Sequence, residues 1–215
     1  MFGRADVHGA VSLACEAIVH GAPPPMSRLA ALLTAATLLV LPTMAAAIEE
    51  PAYEVLQRHE TFEVRQYAPT VVAEVVVTGP AEEAGNRGFR LLADYIFGNN
   101  RGERKIAMTA PVTQAPEGSG HAVRFVMPRA YDLASLPEPV DPRVRLREVP
   151  GERYAVIRYS GRWTDENYDA HLARLQQGVQ AAGLVTAGSP VYARYDPPWV
   201  PWFMRRNEIW LRLVV

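Results

Sequence analysis

The sequence predicts an α+β domain: a distorted antiparallel β-barrel built from two pseudo-repeated strand-strand-helix-strand-strand units, with two helices packed on it. Three observations point there. Segments of β-branched or alternating character recur in pairs. Two amphipathic stretches of helical period separate those pairs. Sliding the chain by 82 residues sets residues 72–79 on 154–161 and residues 63–69 on 145–151, a repeat of pattern more than of identity. Two such units form one curved antiparallel sheet or open barrel with helices across it, which leaves a groove between helix and sheet.

Residues 53–67 read as extended, with Phe62, Val64 and Gln66 alternating against Glu63, Arg65 and Tyr67. The β-branched run at 70–78 reads as a buried strand that Gly79-Pro80 stops. Residues 81–97 read as a helix, because Phe89, Leu92 and Ile96 share one face, and Gly98-Asn99-Asn100 ends it. Extended stretches follow at 105–114 and 121–127, around a turn-rich segment at 115–120. The proline-rich residues 132–142 read as a surface loop joining the halves. Residues 144–149 and 153–160 alternate as strands. Thr164 caps a second helix with Asp165 and Glu166 in its first turn, Tyr168, Leu172, Leu175 and Val179 as its apolar stripe, and Gly183 as its end. Residues 191–195 and 208–215 are the closing strands.

The amino-terminal residues divide in two. Residues 1–25 have no apolar periodicity and end in three prolines, so they read as a doubtful extension. From Met26 the pattern is that of a secretory signal. Arg28 supplies the positive charge, residues 29–41 an uncharged apolar run, and Ala45 and Ala47 an A-x-A cleavage site. Residues 26–47 are therefore the expected signal peptide, residues 48–215 the mature domain, and export to the periplasm the expected destination. The apolar run is too short to span a bilayer in the usual way, so no stable membrane span is expected after cleavage. Cys15, the single cysteine, lies before that start, and the mature domain is expected to hold no disulfide or thiol chemistry.

With 215 residues and 49% hydrophobic content, the chain has room for one sizeable core. A formal net charge of -1 creates no global field for nucleic acid or anionic lipid. Lys105 is the single lysine among 22 basic residues. The arginine bias suits bidentate contact to carboxylates, and a GC-rich genome accounts for it equally. Nothing in the sequence signals an oligomeric state.

Catalytic signatures are lacking. There is no nucleophile elbow, phosphate loop, dinucleotide fingerprint or zinc motif. His59, His121 and His171 are scattered and make no metal site, and the acidic residues are dispersed. The reading is a non-enzyme. Two segments stand out. One runs from Lys105 through Ile106, Ala107, Met108, Thr109, Ala110 and Pro111 to Val112. The other, residues 195–211, puts Pro197, Pro198, Pro201, Trp199, Trp202, Phe203 and Met204 in a connection between strands, with Arg205-Arg206 beside them. An apolar loop stiffened by prolines and flanked by arginine suits a flat ligand with an anionic edge. A loop folded over the sheet end to complete the core is the competing reading.

Four ordered blocks resemble the SOUL haem-binding protein family. They are Tyr53-Glu54-Val55 with Phe62-Glu63-Val64-Arg65; Phe89, Leu92, Tyr95-Ile96, Gly98 and Asn100; Ile106 to Val112; and Tyr195-Asp196-Pro197-Pro198 with Arg205 to Leu211. The resemblance runs from Tyr53 to the end and implies non-covalent binding of haem or a related tetrapyrrole, for sequestration or transport. It implies a site between the first helix and the loop before the last strand. Carried onto this sequence, Asn86, Phe89, Leu92, Ala93 and Asp94 form one wall and Trp199, Val200 and Trp202 the other, with Arg90, Met108, Phe203 and Arg205 as further candidates.

The departures concern haem itself. Some members have a histidine, proposed as the axial ligand, where this chain has Gln66. Basic residues proposed to meet the propionates fall here at Asp94 and Val200, and Arg87, Arg90 or Arg205 are the substitutes at hand. Met108, Met204 and His59 are the remaining candidates for iron, so no axial ligand is identified. Other planar or amphipathic molecules, or a partner or membrane surface met by residues 197–206, remain alternative ligands.

Overall fold

In the computed structural model, the structure describes residues 48–214. The expected extension and signal peptide lie outside the described residues.

Nine strands form one antiparallel sheet: β1 (Tyr53–Arg58), β2 (Glu63–Tyr67), β3 (Thr70–Thr78), β4 (Val112–Glu117), β5 (Gly120–Val126), β6 (Arg145–Val149), β7 (Arg153–Tyr159), β8 (Val191–Arg194) and β9 (Asn207–Arg212). Two helices, α1 (Ala81–Ile96) and α2 (Asp165–Ala181), pack on it. The spatial order is β1-β2-β7-β9-β8-β4-β5-β3-β6. Setting β1 aside, this order is a palindrome under the repeat read from the sequence: β2 maps to β6, β7 to β3, β9 to β5 and β8 to β4. The halves meet where Thr113 of β4 pairs with Ala193 of β8. The sheet is a curled, open half-barrel with β1 and β6 as its edges.

The repeat is broken in one place that matters. β4 and β5 are joined by a tight turn, with Glu117 paired to Gly120. The equivalent β8 and β9 are separated by residues 195–206, and this insertion is the aromatic loop.

Both helices cover the same face, and each half has its own core there. Ala73, Val75, Val123 and Phe125 of the sheet meet Leu92, Tyr95 and Ile96 of α1. Val64, Ala155, Ile157, Ile209 and Leu211 meet Tyr168, Leu175 and Val179 of α2. Two glycines let α1 approach closely. A Cβ on Gly88 would lie 2.6 Å from Val123 Cγ2, and one on Gly85 2.6 Å from Gln114 Oε1. Glu82 and Glu83 favour the first turn of α1 electrostatically, and Asn100 closes its end by donating Nδ2 to the Tyr95 carbonyl at 2.7 Å. The expected cap of α2 is present: Thr164 Oγ1 accepts from the Asn167 amide at 3.3 Å.

Three expectations are corrected. Residues 53–67 form a hairpin, not one extended run, because the His59 amide donates to the Phe62 carbonyl at 2.8 Å and turns the chain. The strand expected at 105–114 begins at Val112, since Pro111 has no amide to donate to a ladder. The 132–142 loop is not wholly superficial, because Leu136 enters the first core and the Pro137 carbonyl accepts the Tyr95 hydroxyl at 2.9 Å.

Candidate functional site

The outer face of α1 presents Asn86, Phe89, Arg90 and Asp94 to solvent. Phe89 is 41% exposed yet anchored, its ring edge-on to Phe125 at 5.3 Å. Leu92 and Ala93 are buried, and Leu92 belongs to the core under the helix, so their contribution to this wall is support. Met108 is half-buried against the same core.

The second wall is the aromatic loop, and its side chains point outward. Trp199, Trp202, Phe203 and Met204 are 82%, 48%, 60% and 66% exposed. The reading in which this loop folds inward to complete the core is thereby overturned. The backbone frame explains why the aromatics do not collapse. Arg205 donates Nε to the Val200 carbonyl at 2.8 Å and Nη2 to the Pro198 carbonyl at 2.5 Å. The Arg206 amide donates to Asp196 Oδ2 at 2.6 Å, and a 3-10 turn at Trp202–Met204 follows Pro201. The Trp202 carbonyl accepts from the Gly161 amide at 3.0 Å, which pins the loop to the β7–α2 connection.

Trp163 lies between the loop and β8. Its indole Nε1 donates to Asn207 Oδ1 at 2.8 Å. The guanidinium carbons of Arg205 and Arg194 lie 4.6 Å and 4.8 Å from its ring centre. Arg194 Nη1 in turn sits 3.6 Å from where a Cβ on Gly85 would be. Gly85 of α1, Arg194 of β8, Trp163 and Arg205 of the loop thus form a continuous run of contacts beneath the inner side of α1. Trp163 and Arg194 escaped the sequence reading, because an arginine inside an alternating strand carries no local mark of facing a helix.

The arginines proposed as substitutes are differently placed. Arg87 is drawn back to the Thr78 carbonyl, Arg205 is spent on the loop frame, and Arg90 is solvent-facing with Nε on the Asn86 carbonyl at 3.3 Å. Gln66 donates to the Tyr67 carbonyl at 3.3 Å. None of the three histidines among the described residues lies on either wall. His59 stacks on Phe62 in the β1–β2 turn, His121 is in β5, and His171 Nδ1 is 2.6 Å from the Asn167 carbonyl on α2. No group of three metal-ligating side chains occurs among the described residues. The donor set on these walls fits a ring face and a carboxylate, and provides no imidazole for iron.

The opposite face of the sheet holds a charged hub. The carboxylate of Glu208, fully buried, accepts from Arg65 Nη1 at 3.2 Å, Arg206 Nη2 at 2.9 Å, Tyr195 Oη at 2.8 Å and Trp210 Nε1 at 2.9 Å. Burial alone would raise its pKa, but the two guanidiniums and the Trp210 and Tyr195 donors hold it below the ordinary carboxylate range. Burial and the Glu208 charge push the Tyr195 hydroxyl up. Donors from β2, from β9 and from the segment between β8 and β9 thus converge on this one carboxylate.

Three clefts have no lining residue from α1, and the first of them meets the end of the loop through Arg206. One of about 400 Å³ is lined by Arg58, Arg65, Arg158 and Arg206 together with His59 and Glu63. One of about 550 Å³ lies between the β1–β2 turn and α2. A third, about 70 Å³, opens on the helix-free face against Tyr67, Tyr154 and Trp210.

Comparison with known proteins agrees with this architecture. Mouse heme-binding protein 1 is 30% identical over 160 residues, covering 70% of this chain and 83% of that protein. Human heme-binding protein 2 is 28% identical over 179 residues, covering 78% and 87%. Among solved structures, the EcmrR C-terminal domain aligns with a TM-score of 0.56 at 13% identity, over 75% of this chain and 98% of that one. A hydrolase from Listeria innocua aligns with a TM-score of 0.51 at 10% identity, over 74% and 94%. At such identities the structural likeness concerns the fold alone. The family model described as SOUL heme-binding protein matches residues 48–212, and the chain belongs to that family.

Proposed function

We propose that this protein binds haem or a related tetrapyrrole non-covalently between α1 and the loop of residues 197–206, for sequestration or transport and without catalysis. The observation that carries this reading is the outward set of Trp199, Trp202 and Phe203 on a braced loop. Its support is membership of a family described by heme binding. Exposed aromatics on a rigid frame offer a flat ring a stacking surface at little conformational cost. Burying a few hundred Å² of porphyrin face at about 25 cal/mol per Å² gives roughly 7 kcal/mol before association costs of several kcal/mol. Apolar contact alone therefore gives weak binding. We place this activity in the periplasm, after removal of the signal at residues 26–47. The net charge of -1 argues against a nucleic-acid partner, and no helix among the described residues is long and apolar enough to cross a membrane.

Haemin titration tests the proposal. A Soret shift at micromolar ligand that is lost in Trp199→Ala/Trp202→Ala is expected; no shift in the unaltered protein overturns it.

The cleft beneath Tyr67, Tyr154 and Trp210 favours a second reading, a module for a smaller planar molecule. Its three rings meet at 4.7 to 5.8 Å, but about 70 Å³ is too small for a tetrapyrrole.

A further inference from the structure

We propose that the aromatic loop attaches this protein to the surface of a lipid bilayer, with Pro197 to Met204 entering the headgroup and upper acyl region. This goes beyond tetrapyrrole binding and does not depend on it, because it concerns where the protein sits and not what it holds.

No charged side chain occurs between Asp196 and Arg205. Within that stretch Trp199, Trp202, Phe203 and Met204 are all exposed. A contiguous apolar surface of this kind marks contact with a partner or a membrane. The backbone decides between the two. The Pro197 carbonyl accepts from the Val200 amide at 3.1 Å, the Pro201 carbonyl from the Met204 amide at 2.9 Å and the Trp202 carbonyl from the Gly161 amide at 3.0 Å. Arg205 takes up the carbonyls of Pro198 and Val200. Every carbonyl from Pro197 to Trp202 except that of Trp199 is therefore satisfied without water, and the three prolines have no amide to leave open. Internal satisfaction of the backbone is the condition for entering lipid. A protein partner is ordinarily met by about one hydrogen bond per 100–200 Å², and this stretch has few free groups to give one. Its side-chain N–H donors are the Trp199 and Trp202 indoles, a ring type that settles at the headgroup level of a bilayer.

Arg162 stands at the base of the loop. It is exposed, its guanidinium carbon lies 5.7 Å from the Trp202 ring centre, and it forms no ion pair among the described residues. A guanidinium beside an inserted tryptophan suits a lipid phosphate. With a net charge of -1 over the whole chain, the attraction comes from the apolar residues and not from a long-range field. An amphipathic flat ring settles at that same interface, so attachment carries the proposed site to where such a ligand collects.

The test uses the full chain and phosphatidylcholine vesicles with brominated acyl chains, and no tetrapyrrole. Bromine quenches tryptophan only at short range. All four tryptophans lie between Trp163 and Trp210, so residues 1–47 give no signal of their own when they bind vesicles. Quenching relative to unbrominated vesicles is expected, with little change on adding salt, because the attachment is apolar. Phe203→Asp/Met204→Asp keeps every tryptophan and alters two exposed side chains. It should weaken the vesicle binding read by quenching by roughly 10- to 100-fold. No quenching in the unaltered protein overturns the proposal, whether or not the protein sediments with the vesicles, and leaves the haemin titration to judge the ligand site. Quenching that salt abolishes, or that Phe203→Asp/Met204→Asp keeps in full, also overturns it. The unaltered protein alone decides the first outcome, so a folding defect in the variant does not spoil the test.

Discussion

The guanidinium carbon of Arg205 lies 4.6 Å from the centre of the Trp163 ring, while the same side chain holds the carbonyls of Val200 and Pro198. One residue thus fixes both the shape of the aromatic loop and its position against Trp163. Arg205→Ala is expected to release the loop. Limited proteolysis should then cut within residues 197–206, and haemin affinity should fall by about tenfold, since preorganisation is lost while the aromatics remain. Unchanged proteolysis would separate the loop's order from this arginine.

The loop aromatics carry little of the fold's stability. Trp199→Ala/Trp202→Ala should shift the unfolding free energy by no more than about 0.5 kcal/mol per site, as for exposed positions generally, while haemin binding is lost. A large fall in Tm would show that these rings are packed in solution.

Glu208 has the opposite role. Glu208→Gln leaves Arg65 and Arg206 without their buried counter-charge and should cost about 3–5 kcal/mol. Its lowered pKa also sets a pH dependence. A carboxyl whose folded value lies below its unfolded value stabilises fully above the unfolded value, about 4.3 for glutamate. That contribution is lost as pH falls through the folded value. Denaturant midpoints measured from pH 7 to pH 3 should drop in the unaltered protein and drop less in Glu208→Gln. Parallel curves would remove Glu208 from this explanation.

Helix α1 depends on its glycines. A Cβ at Gly88 would stand 2.6 Å from Val123, so Gly88→Ala should destabilise by about 1–3 kcal/mol despite the better helix propensity of alanine. Because the helix carries one wall, ligand affinity should fall with it. Calorimetric unfolding of the variant checks the first point.

Iron should matter little. His59 lies in the β1–β2 turn, Met108 is half-buried against the core and Met204 is exposed on the loop, so the three candidates occupy separate settings. Haemin and metal-free protoporphyrin should bind within about threefold of one another, a difference of well under 1.4 kcal/mol, and His59→Ala should leave both unchanged. A strong preference for haemin would reveal a ligand to iron.

Much of the fold was legible because its signals are local. Gly79-Pro80 and Gly98-Asn99-Asn100 bracket α1, Thr164 caps α2, and the repeated strand pattern foretold a sheet order that is a palindrome. The β1–β2 hairpin was missed, since a period-two pattern reads the same whether or not the chain turns at His59. The candidate walls were legible only through composition and family resemblance. The Arg194–Trp163–Arg205 contact was not, because the two arginines are 31 and 42 positions from Trp163 in sequence and meet it through the packing of β8, the β7–α2 connection and the loop. The Glu208 hub was hidden for the same reason, with Arg65 lying 143 residues away.

The four tryptophans allow the ligand site to be located directly. Trp163, Trp199 and Trp202 belong to the proposed site and its support, while Trp210 faces the other side of the sheet with Tyr67 and Tyr154. Indole N–H resonances followed by 15N NMR during titration with protoporphyrin IX will report ring-current shifts at each. Shifts at Trp163, Trp199 and Trp202 with Trp210 unmoved are expected. Movement of Trp210 while those three stay fixed would put the ligand on the helix-free face and contradict the proposed site.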